Sequence, residues 1–150
     1  MLQQTSWDDL VPHLLFRRIE MNSEKRPEIE YITSESVRGL PFSAGVRVGN
    51  MLYLSGQIGI DRSGKPVPGG IAAETQCAMD NIKATLERNG SSLDHVVKVT
   101  VMLADMNEWQ EMNKVYVTYF SKHLPARSAF GTSGLALGAR VEIECMAVLK

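Results

Sequence analysis

Hydrophobic positions change their spacing along the chain, and that spacing predicts which segments are strands and which are helices. Residues 46–48 and 51–55 are two largely apolar runs on either side of Gly49-Asn50. Glycine and asparagine readily adopt the positive φ values of a two-residue turn, so we predict a β-hairpin here. We predict a third extended segment over residues 57–60, and turns and a loop over the Gly- and Pro-containing residues 61–70.

Two later segments have the three- and four-residue spacing of amphipathic helices. The first runs from residue 72 to 89, and Gly90 supplies its C-terminal stop. The second is predicted over residues 107–121, and Pro125 prevents its continuation. We interpret the large side chains on one side of the second helix as core residues and not as a ligand cage: Trp109, Met112, Val115, Tyr116, Tyr119 and Phe120.

The order of these elements predicts the fold class. Residues 96–103 form a nearly continuous β-branched and apolar run, as expected of a strand covered by helices. Two more strands are predicted around Arg127 and Glu142. Strands, helix, strand, helix and strands favour an α+β or α/β two-layer sandwich with helices on one face of a mixed sheet. A chain of 150 residues supports one domain.

The first thirty residues differ from the rest, and we divide the chain into an extension (1–30) and a domain (31–150). Asp8 or Asp9 can cap a short helix that carries Leu10, Leu14 and Leu15 on one face, with Pro12 in its first turn. That face either packs on the domain's own surface or contacts a partner.

Charge and composition argue against several functions. Sixteen Lys and Arg against seventeen Asp and Glu give a net charge of -1, which disfavours nucleic-acid binding by bulk electrostatics. We expect Cys77 and Cys145 to be buried reduced thiols. His13, His95 and His123 share no metal-ligand spacing, and no nucleotide loop is present, so we expect no metal and no cofactor. The chain has no signal-peptide pattern and no apolar run near the ~18 residues of a membrane span, which indicates a cytoplasmic protein.

The last quarter of the chain carries the candidate chemistry. Arg127 and Glu142 lie fifteen positions apart on two predicted successive strands, which a loop could fold into one cleft. Arginine offers a planar fork of donors suited to a carboxylate, and a glutamate can accept a proton from water. The pair indicates hydrolysis of a small carboxylic acid. The alternative is an ion pair between Arg127 and Glu142 or Glu144 that only ties two strands together.

Ordered blocks between about residues 32 and 150 resemble the RidA/YjgF/YER057c/UK114 family. Their order makes the resemblance far more specific than any single motif. The blocks are Phe42-Ser43 with residues 46–50, residues 54–58, 81–83, 96–101 and 113–116, Pro125-Ala126-Arg127-Ser128, and Val141-Glu142-Ile143-Glu144.

The resemblance implies a fold, an assembly and an activity. The implied fold is chorismate-mutase-like, a sheet of about six strands with two helices on one face, in a homotrimer with sites at subunit interfaces. The implied activity is cofactor-independent deamination of 2-iminobutanoate, 2-iminopropanoate and similar imines to 2-oxo acids and ammonia. Arg127 would clamp the substrate carboxylate and Glu142 would hold or activate water. The alternatives are a non-catalytic 2-oxo acid binding protein with a regulatory role, and a ribonuclease, which the weak basic character disfavours.

The resemblance also implies further site residues and two departures. Ser55, Gly56 and Asn113 match positions that approach the ligand in the family. Phe42 stands where deaminating members commonly have tyrosine, so a phenolic hydroxyl is missing and the substrate choice is expected to differ. Ala129 stands where some members have cysteine, which argues against thiol-based regulation and not against hydrolysis.

Overall fold

One mixed six-stranded sheet with two α-helices against one face forms the domain in this computed structural model, which describes residues 26–61 and 63–150. The strand order is β1-β2-β3-β6-β4-β5. All neighbours are antiparallel except β4 and β5, which are parallel. The strands are β1 (Ile29–Ile32), β2 (Gly45–Val48), β3 (Met51–Ile58), β4 (Val96–Leu103), β5 (Ala126–Gly131) and β6 (Val141–Val148).

The helices cover one face of the sheet and enclose the core. Helix α1 (Gly70–Arg88) and helix α2 (Trp109–Tyr116) pack against each other, and the hydroxyl of Tyr119 donates a hydrogen bond of 2.8 Å to Asp80 Oδ1 across them. Short 3-10 turns precede and follow α2 at Met106–Glu108 and Val117–Tyr119. No helix in the described ranges is both long and apolar enough to cross a membrane.

Alternation along the central strands separates the core from the opposite face. Side chains point to alternate faces of a strand, and in β6 every second one is buried in the core: Val141, Ile143, Cys145 and Ala147. The intervening side chains face away from the helices, onto what we call the open face. That face exposes large apolar groups, including Tyr53, Phe130 and Met146.

The predicted α+β sandwich with helices on one face is confirmed, and the main elements lie close to their predicted positions. The predicted hairpin forms with Gly49 at φ 58°, the predicted strand 96–103 is β4, and Gly90 follows α1 at φ 78°. The central part of the second predicted helix is α2. Both cysteines are free thiols, and Cys145 is buried as predicted; the prediction that Cys77 is buried was wrong, because its side chain is only half-buried.

Two details of the strand prediction were wrong. Residues 57 and 58 do not start a separate strand, because β3 runs through a bulge: three steps from Leu54 to Gln57 oppose two steps of β6. The sixth strand is instead β1, a short, exposed edge strand, which begins at Ile29 and so crosses the predicted boundary at residue 30. The predicted helix around Leu14 lies outside the described residues.

Candidate active site

Arg127 lies on β5, the strand at one edge of the sheet, and points toward α2. In the parallel pairing of β4 and β5 it stands opposite Val99, a core residue, which places it on the helix-covered face. Its Nη1 donates a hydrogen bond of 2.7 Å to Asn113 Oδ1 on α2. The side chain is half-buried, so its guanidinium is held in place and still reaches the surface.

Asn113 adds a second donor group beside the guanidinium. Arginine has no acceptor, so the amide must turn its oxygen toward Arg127 and its NH₂ away. Within the described ranges, the guanidinium and the amide NH₂ have no other hydrogen-bond partner. The remaining guanidinium N–H groups and the nearby amide NH₂ are therefore available to an acceptor in the cleft that both residues line, and a carboxylate is such an acceptor.

Two aromatic rings orient the guanidinium. Its central carbon lies 4.7 Å from the ring centre of Tyr116 and 5.3 Å from that of Trp109. Cation–π contact of this kind is attractive within about 6 Å. Burial raises the pKa of Tyr116 to about 12, against the opposing effect of the Arg127 charge, so the phenol stays neutral. Among the described residues, its hydroxyl is the only buried side-chain polar atom without a hydrogen-bond partner.

These groups open into a cleft of about 480 Å³ between α2 and the segment that leads into β5. Asn113, Tyr116 and Arg127 line one part of it. The volume is in the usual range for small-molecule sites.

Glu142 lies on the open face, above Gly56. Its neighbours Val141 and Ile143 are fully buried in the core, so alternation turns Glu142 the other way. A Cβ added at Gly56 would lie 2.8 Å from Glu142 Cδ and 2.9 Å from its Cγ, and closer still to Oε1. Only glycine leaves room for the carboxylate at this point of the bulge. The carboxylate has no hydrogen bond or ion pair with the residues that the structure describes.

Ser55 connects this carboxylate region to Phe42. Its hydroxyl donates a hydrogen bond of 2.7 Å to the carbonyl of Ser43, the residue after Phe42. Phe42 is 51% exposed. Ser55 therefore holds the Phe42 segment beside Gly56 and Glu142, and its hydroxyl oxygen still has acceptor capacity.

The predicted site residues thus fall into two groups, and the expectation that one chain brings Arg127 and Glu142 into one cleft was wrong. β4 lies between β5 and β6, and the two side chains point to opposite faces of the sheet. The alternative, an ion pair of Arg127 with Glu142 or Glu144, is also absent from the described part of the chain. We call Arg127 with Asn113 the arginine half-site, and Phe42, Ser55, Gly56 and Glu142 the glutamate half-site.

Trp109 and Tyr116 were predicted to be core residues only. Tyr116 is buried, but both rings also contact the guanidinium of Arg127. The signal was present in the spacing, because positions 109, 113 and 116 lie on one face of a helix and 113 was already a candidate.

Fold and site together define a small α+β domain whose cleft, at the edge of the sheet, is suited to an anion. Residues 35–149 match the sequence profile of the family described as Endoribonuclease L-PSP. The chain is 46% identical over 109 residues to a protein of Mus musculus named 2-iminobutanoate/2-iminopropanoate deaminase, covering 72% of this chain and 81% of that protein.

Solved structures of similar proteins have the same fold. Yeast Mmf1 superposes with a TM-score of 0.72 at 36% identity, over 84% of this chain and 98% of the yeast chain. RidA from the Antarctic bacterium Psychrobacter sp. PAMC 21119 gives a TM-score of 0.71 at 32% identity, over 83% of this chain and 99% of that chain. The chain therefore belongs to the RidA/YjgF/YER057c/UK114 family.

Proposed function

We propose that this protein hydrolyses 2-imino acids to 2-oxo acids and ammonia, without a cofactor, at a site shared between two copies of the chain. The observation that carries the proposal is the arginine half-site, where a ring-oriented guanidinium and an amide converge on a cleft. The name of the mouse relative supports the same chemistry.

The chemistry needs binding and a positioned water more than it needs a nucleophile. An iminium carbon beside a carboxylate is already electrophilic. Arg127 and the Asn113 amide bind the carboxylate and fix the orientation of the adjacent carbon. Glu142 accepts a proton from water as the water oxygen bonds to that carbon, and it then gives this proton to the nitrogen. As the C–N bond breaks and the C=O bond forms, the remaining hydroxyl proton passes to Glu142 and from there to solvent. The products are the 2-oxo acid and ammonia.

The placement of the two half-sites supports completion of the site by a second copy. Arg127 lies on an edge strand, and Glu142 lies on the open face, whose apolar groups Tyr53, Phe130 and Met146 need cover. A copy that covers this face with its β5 edge brings its own Arg127 toward Glu142. Because each copy offers one half-site and accepts the other, repetition closes into a ring, and a homotrimer is the closed form we propose.

The direct test is imine decay. 2-Iminopropanoate and 2-iminobutanoate are generated with an amino-acid oxidase or a threonine dehydratase, and their disappearance is recorded with and without the purified protein. We expect the parent to accelerate decay and Arg127→Ala not to do so. Equal decay rates with and without the parent protein would refute the proposal.

A mixing experiment tests the shared site separately. Arg127→Ala and Glu142→Gln are each expected to keep only a small residual rate. Co-expressed in equal amounts, they are expected to recover about one quarter of the parental activity, because one interface in four joins two intact half-sites when copies assort at random into a closed ring. Inactive mixtures that nevertheless contain both chains in one assembly would show that both half-sites act within one copy.

The alternative function is binding of a 2-oxo acid with a regulatory role. It predicts measurable affinity for 2-oxobutanoate and no imine hydrolysis by the parent. The family profile is described as an endoribonuclease, so the same preparation is also assayed for RNA cleavage. Because the net charge is -1, we expect no cleavage.

A further inference from the structure

The cleft continues beyond the arginine half-site to an apolar end. Val117, Leu124 and Pro125 line the same cleft as Arg127. Val117 is 50% exposed and Leu124 is 65% exposed. The cleft therefore has a donor-rich end and an apolar wall, a combination that recognises a molecule with a carboxylate and a hydrocarbon group.

The apolar wall lies about one helical turn from the donor-rich end. The N–H of Val117 bonds to the carbonyl of Asn113, so the helical turn continues to Val117 and the two side chains share one face. Side chains at this spacing are about 5–6 Å apart. Leu124 comes three residues before Arg127, so their Cα atoms are at most about 10 Å apart even in a fully extended chain.

Resting on the proposed function, we infer that the preferred substrates are 2-imino acids with an aliphatic side chain of about four carbons, seated on Val117 and Leu124. Once the carboxylate is bound by Arg127, the reacting carbon lies next to it at the donor-rich end. The ethyl group of 2-iminobutanoate is too short to span a helical turn from there to the wall. A butyl or isobutyl group reaches it and buries apolar surface there.

Each buried methylene is expected to favour the longer substrate about fourfold. The wall is partly exposed, which reduces that gain. We expect kcat/KM for 2-iminohexanoate or 2-imino-4-methylpentanoate to exceed that for 2-iminobutanoate about tenfold.

Lys114 also lines this cleft, and its ammonium group favours a different class of substrate. A substrate with a second carboxylate would pair with that ammonium instead of the apolar wall. Preference for 2-iminopentanedioate over the aliphatic imines would overturn the inference.

The test is the ratio of kcat/KM for 2-iminohexanoate to that for 2-iminobutanoate, because a ratio cancels losses of folded protein. Leu124→Ser is expected to bring the ratio close to one, and Leu124→Ala to lower it less. The matched control is Leu137→Ser, since Leu137 is a leucine of nearly equal exposure, 64%, outside the cleft. The control should keep the parental ratio.

Calorimetry separates this inference from the proposed function. If the parent hydrolyses no imine, the same ratio is taken from its affinities for 2-oxohexanoate and 2-oxobutanoate, and Leu124→Ser should again abolish the preference. A parental ratio near one in both assays would overturn the inference while leaving hydrolysis intact. The inference would also be overturned if Leu124→Ser lowered kcat/KM equally for all substrates and light scattering showed that the assembly was lost. The apolar wall would then be a subunit contact.

Discussion

The close approach of Gly56 to Glu142 gives the sharpest prediction for the proposed mechanism. In Gly56→Ala, the new Cβ would lie 2.8 Å from Glu142 Cδ. An ordinary contact between two carbons is about 3.5 Å, so the carboxyl carbon must retreat by about 0.7 Å, and the nearer oxygen by more. A displacement near 1 Å can cost about a hundredfold in rate. We expect kcat/KM for 2-iminobutanoate to fall between about tenfold and a hundredfold.

The same substitution should leave the fold almost unchanged. Gly56 does not have a positive φ, so alanine fits its backbone. Turning the Glu142 side chain costs about 0.5–1.5 kcal/mol, and replacing glycine by alanine returns about 0.4–1 kcal/mol through the unfolded chain. We expect the free energy of unfolding to change by less than about 1 kcal/mol, and the affinity for 2-oxobutanoate to be retained through Arg127.

A double-mutant cycle isolates the cause. Gly56→Ala is made in the parent and in Glu142→Gln, and the melting temperature and the residual kcat/KM above uncatalysed decay are measured for all four proteins. If Gly56 acts only by making room for the carboxylate, the second substitution should cost nothing further when Glu142 is already replaced. Multiplicative losses, or a Gly56→Ala variant within twofold of the parent, would show that Gly56 does not act by leaving room for the Glu142 carboxylate.

Further predictions concern the other site residues and the assembly. Arg127→Lys should lower imine hydrolysis at least about tenfold, or about 1.4 kcal/mol, because a point charge cannot reproduce the planar fork; activity within twofold of the parent would leave Arg127 a structural role. Glu142→Gln should lose turnover and keep calorimetric affinity for 2-oxobutanoate, and equal hydrolysis by both proteins would make Glu144 the next candidate. Phe42→Tyr should raise kcat/KM for 2-iminobutanoate about fivefold, since one added hydrogen bond contributes about 1 kcal/mol, whereas no change would separate this ring from the ligand. Light scattering at micromolar concentration should give about three times 16.6 kDa, and a monomer would remove the shared site.

Most of the fold could be predicted from the sequence because local patterns specify it. Two-residue turn chemistry at Gly49, helical spacing before Gly90 and the β-branched run of residues 96–103 each identify an element without knowledge of its neighbours. The extent of β3 could not be predicted, because the bulge at residues 55 and 56 depends on pairing with β6, almost ninety residues later in the chain. β1 could not be predicted either, because it has only four residues, lies at the sheet edge and is mostly exposed, so its residues show no clear alternation of apolar and polar positions.

The candidate site residues were selected from the sequence one by one, and their geometry could not be predicted with them. Arg127 and Glu142 were selected by residue type and by their spacing along the chain, and that spacing contains no information about strand order. That β4 lies between β5 and β6 is a property of the whole sheet. The pairing register then aligns Arg127 with the core residue Val99 and Glu142 with Met102, which points to the other face. The rings of Trp109 and Tyr116 were predicted to be core residues, and their contact with the Arg127 guanidinium could not be predicted because it depends on the position of β5.

The alternation along β6 has a consequence for how this chain can change in length. Consecutive residues of one strand fill the core and carry the candidate carboxylate, so a single-residue insertion or deletion inside the strand would exchange the two sets of side chains. Val141 and Ile143 would move to the open face, and Glu142 would be forced into the core. Stability and chemistry would then be lost together, whereas length changes in the exposed turn around Gly64 should be tolerated. Families with this strand should therefore vary in their loops and keep the length of β6 fixed.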